Sequence, residues 1–210
     1  MPDAFPEKVS SLVKVREIIY PYYDKGIEEE LLNNGVEEVF SFGNTQLGKY
    51  RVIGKGKNGI VAYMGGGKVI KIRRSDSPKE SLKVEAKIQS LAYPVSPRVY
   101  SYGKNFIIME YVHGRHLSKS ESIDVIIGLL RAAKELEDKK IEHQELVRPY
   151  KNVLISDKIY IIDYDDATIK EKARNVTSVL SWLKRVDLAR KYIKGATIED
   201  IIRELLVSFS

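Results

Sequence analysis

The sequence has no cysteine, which excludes disulfides, thiol catalysis and thiolate metal sites. Its three histidines, His113, His116 and His143, are too few and too scattered for a zinc site. No apolar run approaches the length of a membrane span, and the stretch 125–130 is interrupted at once by Arg131. Residues 1–10 are polar and hold two prolines, unlike a signal peptide, so the expectation is a cytoplasmic protein with no membrane partner. Internal repeats and low-complexity tracts are lacking as well. What remains is a globular composition, 43% hydrophobic and 30% charged over 210 residues, enough for one good core or two small lobes. The net charge of +6 invites a nucleic-acid partner. Much of that charge, however, sits in Lys55, Lys57, Lys68, Lys71, Arg73 and Arg74, around one glycine-rich stretch.

That stretch, 52–74, is the most informative part of the chain. Gly54, Gly56 and Gly59 stand in the spacing G-x-G-x-x-G-x-V, completed by Val61. Dinucleotide-binding proteins carry the same glycines, but there the turn leads from a strand into a helix. Here the residues that follow, 60–64, are β-branched and aromatic, and Gly65-Gly66-Gly67 turns them into a third strand, 68–72. Period-2 alternation puts Val69 and Lys71 on one face of that strand and Ile70 and Ile72 on the other. A lysine flanked by apolar residues mid-strand must reach solvent or meet an anion. The hairpin alone is equally compatible with one solvated lysine.

Along the rest of the chain, apolar spacing predicts a helix over 7–34, interrupted at Pro21 and closed by Asn34-Gly35. Residues 36–42 read as extended, and a first flap strand is expected at 50–53. Ser77-Pro78-Lys79-Glu80 reads as a capping box opening a helix on which Leu82, Glu85, Ile88 and Gln89 share a face. Glu85, set between apolar neighbours, needs a cation. Two strands over 98–110 reverse at Gly103-Lys104-Asn105, and Ser118-x-x-Glu121 is expected to cap a long helix through about Asp138. A polar loop from His143 to Asn152, a hairpin turning at 156–158 and ending in Asp163, and helices over 175–210 complete the chain.

In this order the pieces resemble a protein kinase reduced to its minimum. The chain is most similar to the small atypical kinases, the RIO family and the kinase of the KEOPS tRNA-modification complex, and closer still to short archaeal proteins described as predicted Ser/Thr protein kinases. The resemblance covers about 47–183. It implies an α+β, two-lobed fold: an N-terminal helical segment (1–45) packed on the small lobe, an antiparallel-sheet N-lobe (46–111) and a truncated helical C-lobe (112–210). It implies ATP and Mg²⁺ as ligands. Gly54, Gly56, Gly59 and Val61 would then cover the nucleotide, Lys71 with Glu85 would grip its phosphates, and Asn152 and Asp163 would bind metal. Adenine would meet the backbone of Glu110 and Val112, with Met109 behind it.

Three departures bear on activity. His143-Gln144-Glu145 stands where the family has H-R-D or H-G-D, and Glu145 reaches roughly 1.5 Å further than an aspartate. Asn152 follows Glu145 by seven residues instead of five, and the enlarged loop carries Arg148 and Lys151. Asp163-Tyr164-Asp165 replaces D-F-G, and no A-P-E-like segment follows. The readings left open are a phosphotransferase or ATPase with Glu145 as base and an unknown protein substrate, a nucleotide-binding pseudokinase, and an RNA-associated assembly factor. The last would use Lys170, Lys172, Lys184, Lys191 and Lys194 as a basic surface.

Overall fold

The computed structural model describes residues 10–209, which form two compact units: the chain up to Lys87 with Arg98–Tyr111, and Ile88–Pro97 with the chain from Val112 onward.

The first unit starts with strand β1, Leu12–Lys14, in which only Val13 is buried. It corrects the helix predicted over 7–34, of which 7–9 lie outside the described residues. Val13 and Val15 point inward at period 2, a short 3₁₀ turn over Val15–Glu17 follows, and only Lys25–Asn33 is α-helical (α1). The same apolar positions satisfy either period, and pairing with β2, Glu38–Phe40, decides for the strand by supplying its backbone partners. Helix α1 is capped by Asp24, whose side chain accepts from the Ile27 amide at 3.0 Å.

A hairpin of β3, Thr45–Leu47, and β4, Tyr50–Val52, leads into β5, Gly54–Lys55, β6, Gly59–Gly65, and β7, Lys68–Arg73. After helix α2, Lys83–Ala92, come β8, Val99–Tyr102, and β9, Phe106–Glu110. The antiparallel sheet runs β1-β2-β6-β7-β9-β8, with β5 also on β6. Ile60, Ala62, Ile70, Ile72 and Phe106 face a core completed by Val13, Ile18, Ile27 and Leu31. Glu30 of α1 fastens to the β8–β9 turn, its carboxylate accepting from the amides of Lys104 (2.6 Å) and Asn105 (3.1 Å).

Helix α2 starts at Lys83, later than the Ser77–Glu80 box implies. Ser77 Oγ instead donates to Asn58 Oδ1 at 2.9 Å, and Leu82 is fully buried with its amide on the Lys104 carbonyl at 2.8 Å. A capping box contributes about 1 kcal/mol. Burying a leucine contributes about 1.5–3 kcal/mol, so tertiary packing wins over the local cap.

The second unit holds β10, Arg115–His116, α3, Ile123–Asp138, β11, Ile141–Glu142, β12, Val153–Ile155, β13, Ile159–Ile161, and β14, Thr168–Ile169. Helices α4, Asn175–Trp182, α5, Val186–Ile193, and α6, Ile198–Phe209, close it. Strand β12 pairs with β10 and β13, and β11 with β14. Leu129, Leu130, Ala133 and Leu136 of α3 pack with Val176, Val179 and Leu180 of α4 and with Ile201 and Leu205 of α6. Thr197 and Asp200 form the expected reciprocal cap of α6, amide to carboxylate at 3.0 Å and amide to hydroxyl at 3.2 Å. Among the described residues no helix is long and apolar enough to cross a membrane.

Helix α3 is capped by Ser122, not by Ser118 as its sequence suggested. Glu121 does accept from the Ser118 amide at 2.6 Å, but its carboxylate is also forked by the Arg115 guanidinium at 2.7 and 2.8 Å. Arg115 first, and then the Ser118 bonds, pull the Glu121 carboxyl down to about 2. The folded value lies below the ordinary 4.5, so this contribution is present above pH 4.5 and is lost as pH falls toward 2. Glu121→Gln should therefore lower Tm at pH 7 by roughly 2–4 °C, the equivalent of about 1 kcal/mol for a pair whose arginine is exposed to solvent. The difference from wild type should shrink in melts as pH falls toward 2 and vanish below it.

Candidate active site

In the first unit the glycine stretch forms a hairpin. Gly54 and Lys55 pair with Val61 and Ile60, and the Gly56 amide donates to the Gly59 carbonyl at 2.8 Å. Register then aligns side chains across the sheet: Val61 lies opposite Lys71, Lys71 opposite Ile107, and Val69 opposite Met109. Directly opposed residues of antiparallel strands share a face. Val61, Val69, Lys71 and Met109 thus lie on the face opposite to the Ile60, Ala62, Ile70 and Ile72 core.

Helix α2 lies over that face, with its Ala86 and the preceding Leu82 against Ile107. Glu85 Oε1 meets Lys71 Nζ at 2.6 Å, with side chains only 4% and 8% exposed. A buried ion pair of this kind is weak evidence for stability, because desolvation offsets most of the attraction. It fixes a cation and an anion where neither has bulk water. Gly59 makes room for the lysine stem, since a Cβ there would stand 2.9 Å from both Lys71 Cγ and Cε.

At the end of β9 the Glu110 amide donates to the Arg98 carbonyl at 2.9 Å, and Glu110 Oε2 accepts from the Arg98 amide at 3.1 Å. The Glu110 amide is therefore committed. Val112 belongs to the second unit. An aromatic cluster that the sequence did not reveal stands beside these residues. Tyr63 packs edge-on to Tyr111 at 5.1 Å and against Phe42 at 5.5 Å. Burial pushes the Tyr111 hydroxyl up.

In the second unit the polar loop is built around His143 and Asn152. His143 is fully buried; its amide donates to Asn175 Oδ1 at 2.9 Å, and its Nε2 must donate to the Ile162 carbonyl, 2.9 Å away. Burial lowers its pKa and so favours the neutral ring. Asn175 Nδ2 also donates to the Ile141 carbonyl at 2.6 Å, tying the loop to α4. Nothing in the local sequence marks Asn175, because its partner His143 lies 32 residues away.

Asn152, 7% exposed, follows a 3₁₀ turn over Pro149–Lys151, and its carbonyl accepts from the Ile162 amide at 2.9 Å. Its side-chain amide donates to Glu145 Oε2 at 2.9 Å. Glu145 is held above the usual carboxylate range, first by burial and then by the charges of Asp163 and Asp166. Gln144 and Asp163 both adopt left-handed backbone, φ 66° and 62°. Two such non-glycine residues flanking one cluster are a strain that the surrounding hydrogen bonds hold in place. Tyr164, next to Asp163, is fully buried and packs edge-on to His143 at 5.1 Å.

Each unit therefore gathers its own predicted residues: Gly54, Gly56, Gly59, Val61, Lys71, Glu85 and Met109 in the first, Glu145, Asn152 and Asp163 in the second. Among the described residues no group of three His, Cys, Asp or Glu side chains is placed to hold a metal ion. Asn152 and Asp163 offer hard oxygen donors of the type Mg²⁺ takes in ones and twos, alongside water and phosphate oxygens. With Nδ2 turned to Glu145, Asn152 keeps Oδ1 for such a ligand.

No family model and no curated protein matches the sequence. Among solved structures the chain is similar to WbdD, determined as a co-crystal with the kinase inhibitor LY294002. The TM-score is 0.51 at 18% identity, over 71% of this chain and 44% of that one, so this chain spans less than half the neighbour's length. Likeness at that identity is likeness of fold. The chain has an α+β fold of the protein-kinase type, an antiparallel-sheet unit and a mainly helical one.

Proposed function

We propose that the protein is an ATP- and Mg²⁺-dependent phosphotransferase or ATPase of the atypical Ser/Thr protein kinase kind, similar to the RIO-type minimal kinases. The observation that carries this reading is the buried Lys71–Glu85 pair beside a glycine hairpin, within a kinase-type fold. A charge pair that contributes little to stability needs another reason to be buried, and a polyphosphate is the ligand such a lysine suits. Lys71 would neutralise phosphate oxygens, with Glu85 fixing its ammonium. Val61 and Met109 would offer apolar surface to the base. Asp163 and Asn152 would hold Mg²⁺, which when bound neutralises charge on the transferred phosphoryl group. Glu145, with its raised proton affinity, would accept the proton of the hydroxyl acceptor. Only residues 164–174 separate Asp163 from α4, which leaves little chain for a peptide-binding platform and supports a restricted partner.

A second reading, a nucleotide-binding switch without turnover, is favoured by the Asn152–Glu145 hydrogen bond, which engages the base with a metal ligand. RNA association has less support. Lys170 and Lys191 are paired with Glu142 at 2.7 Å and Glu204 at 2.6 Å, which neutralises part of the supposed basic surface.

Calorimetric titration tests the main reading. Mg-ATP should bind with measurable heat and raise Tm, and Asp163→Asn should weaken Mg-ATP at least about tenfold while leaving adenosine affinity within about twofold. Absence of both heat and thermal shift in the wild type would sink the nucleotide reading.

A further inference from the structure

The glycine hairpin of this chain is held at its tip by Arg74 and Ser77, which follow β7, and beside the tip by Tyr20, from the connection between β1 and β2. Its turn, Gly56-Lys57-Asn58-Gly59, has several external attachments. The Gly56 carbonyl accepts from the Arg74 guanidinium at 3.2 Å, and the Asn58 carbonyl from the Arg74 amide at 2.9 Å. Asn58, only 3% exposed, accepts from Ser77 Oγ. Lys55 Nζ donates to the Tyr20 hydroxyl at 2.8 Å and lies 4.1 Å from the centre of the Tyr20 ring. The same ring has the Arg74 guanidinium 5.1 Å from its centre. Arg74 is in turn forked by Asp76 at 2.8 and 2.6 Å.

Tyr20 is itself anchored. Its ring packs against the core of the first unit, and its carbonyl accepts from the Ser75 amide at 2.9 Å. Tyr22 repeats the stitch: its amide donates to Ser75 Oγ, its carbonyl accepts from that hydroxyl, and its own hydroxyl donates to the Ser75 carbonyl at 2.9 Å. Two cations on one ring would repel each other in isolation. The π face, the hydroxyl lone pair and Asp76 together make the arrangement favourable.

We infer that Tyr20 is a positioning residue, which acts through Lys55 and Arg74 to order the glycine turn before any nucleotide arrives. A glycine turn left to itself has large conformational entropy, which a ligand would have to remove on binding. The clamp removes it in advance, so its loss should appear as weaker binding and a higher KM, not as a lower kcat. This part of the inference rests on the nucleotide reading; the ordering of the turn does not.

The test is amide hydrogen exchange on the ligand-free protein, paired with Mg-ATP titration. Tyr20→Leu should raise exchange at the amides of 55–59 about tenfold, with β9 and α3 unchanged, and should weaken Mg-ATP several-fold. Tyr20→Phe keeps the ring and its cation contacts and should fall between Leu and wild type. Should Tyr20→Leu not fold, Lys55→Met removes the same link from the exposed side and should loosen the same amides. Unchanged exchange at 55–59 in folded variants, or an increase spread evenly over the sheet, overturns the inference. Loosened amides in a protein that binds no Mg-ATP would support the clamp and defeat the nucleotide reading instead.

Discussion

Lys71→Met is expected to abolish ATP binding and to lower Tm by on the order of 10 °C. The second half follows from the pair's burial. Removing the ammonium 2.6 Å from Glu85 strips a carboxylate that is 4% exposed of its nearest cation. Breaking a buried pair from one side costs about 3–5 kcal/mol, and each kcal/mol moves Tm by roughly 2–4 °C at this chain length. Loss of binding alone would thus be ambiguous, because a destabilised first unit could account for it. The double variant Lys71→Met/Glu85→Met resolves this. Replacing both charges by apolar groups of similar volume is often neutral or stabilising, so Tm should return to within a few degrees of wild type. If the lysine serves a phosphate, binding stays lost. A double variant that regains both Tm and Mg-ATP affinity would show the pair to be structural only.

The sequence exposed those parts of the fold whose signal is local. The glycine spacing and the β-branched runs predicted the hairpins at 54–73 and 99–110, because turn residues and period 2 act over a few positions. That Glu85 needs a cation was legible because a carboxylate among apolar positions demands one, whereas the choice of Lys71 came from the family resemblance. The errors fall where a distant residue captures a local signal. Ser77 and Glu121 look like capping residues until Asn58 and Arg115 engage them. Val13 and Val15 fit a helix until β2 offers them backbone partners. Asn175 and Tyr20 carried no motif at all. Their importance lies in contacts to His143, 32 residues away, and Lys55, 35 residues away, which no window of sequence contains.

Glu145→Gln should cost turnover roughly 10²–10⁴-fold, the range of a lost general base, while Mg-ATP affinity stays within about twofold. The glutamine retains an oxygen to accept from Asn152 Nδ2, so the 2.9 Å link that shapes the loop survives the change. Only the charge and the proton affinity are removed. Stability should not suffer. Burial and the nearby aspartates raise the Glu145 carboxyl above its ordinary 4.5, so the folded protein binds this proton more tightly than the unfolded chain. That contribution is present below pH 4.5 and is lost as pH rises through the raised value. Above that value the ionised carboxylate opposes folding, so the neutral glutamine should hold or slightly raise Tm there. Glu145→Asp separates reach from basicity, since it withdraws the carboxylate by about 1.5 Å and should lose both the Asn152 link and turnover. A single-turnover assay beside a nucleotide titration decides. Turnover unchanged in Glu145→Gln would remove Glu145 as base and pass the chemistry to the exposed cations of the same loop, Arg148 and Lys151. A fall in Mg-ATP affinity with turnover per bound nucleotide intact would make Glu145 a partner of the metal ligands instead.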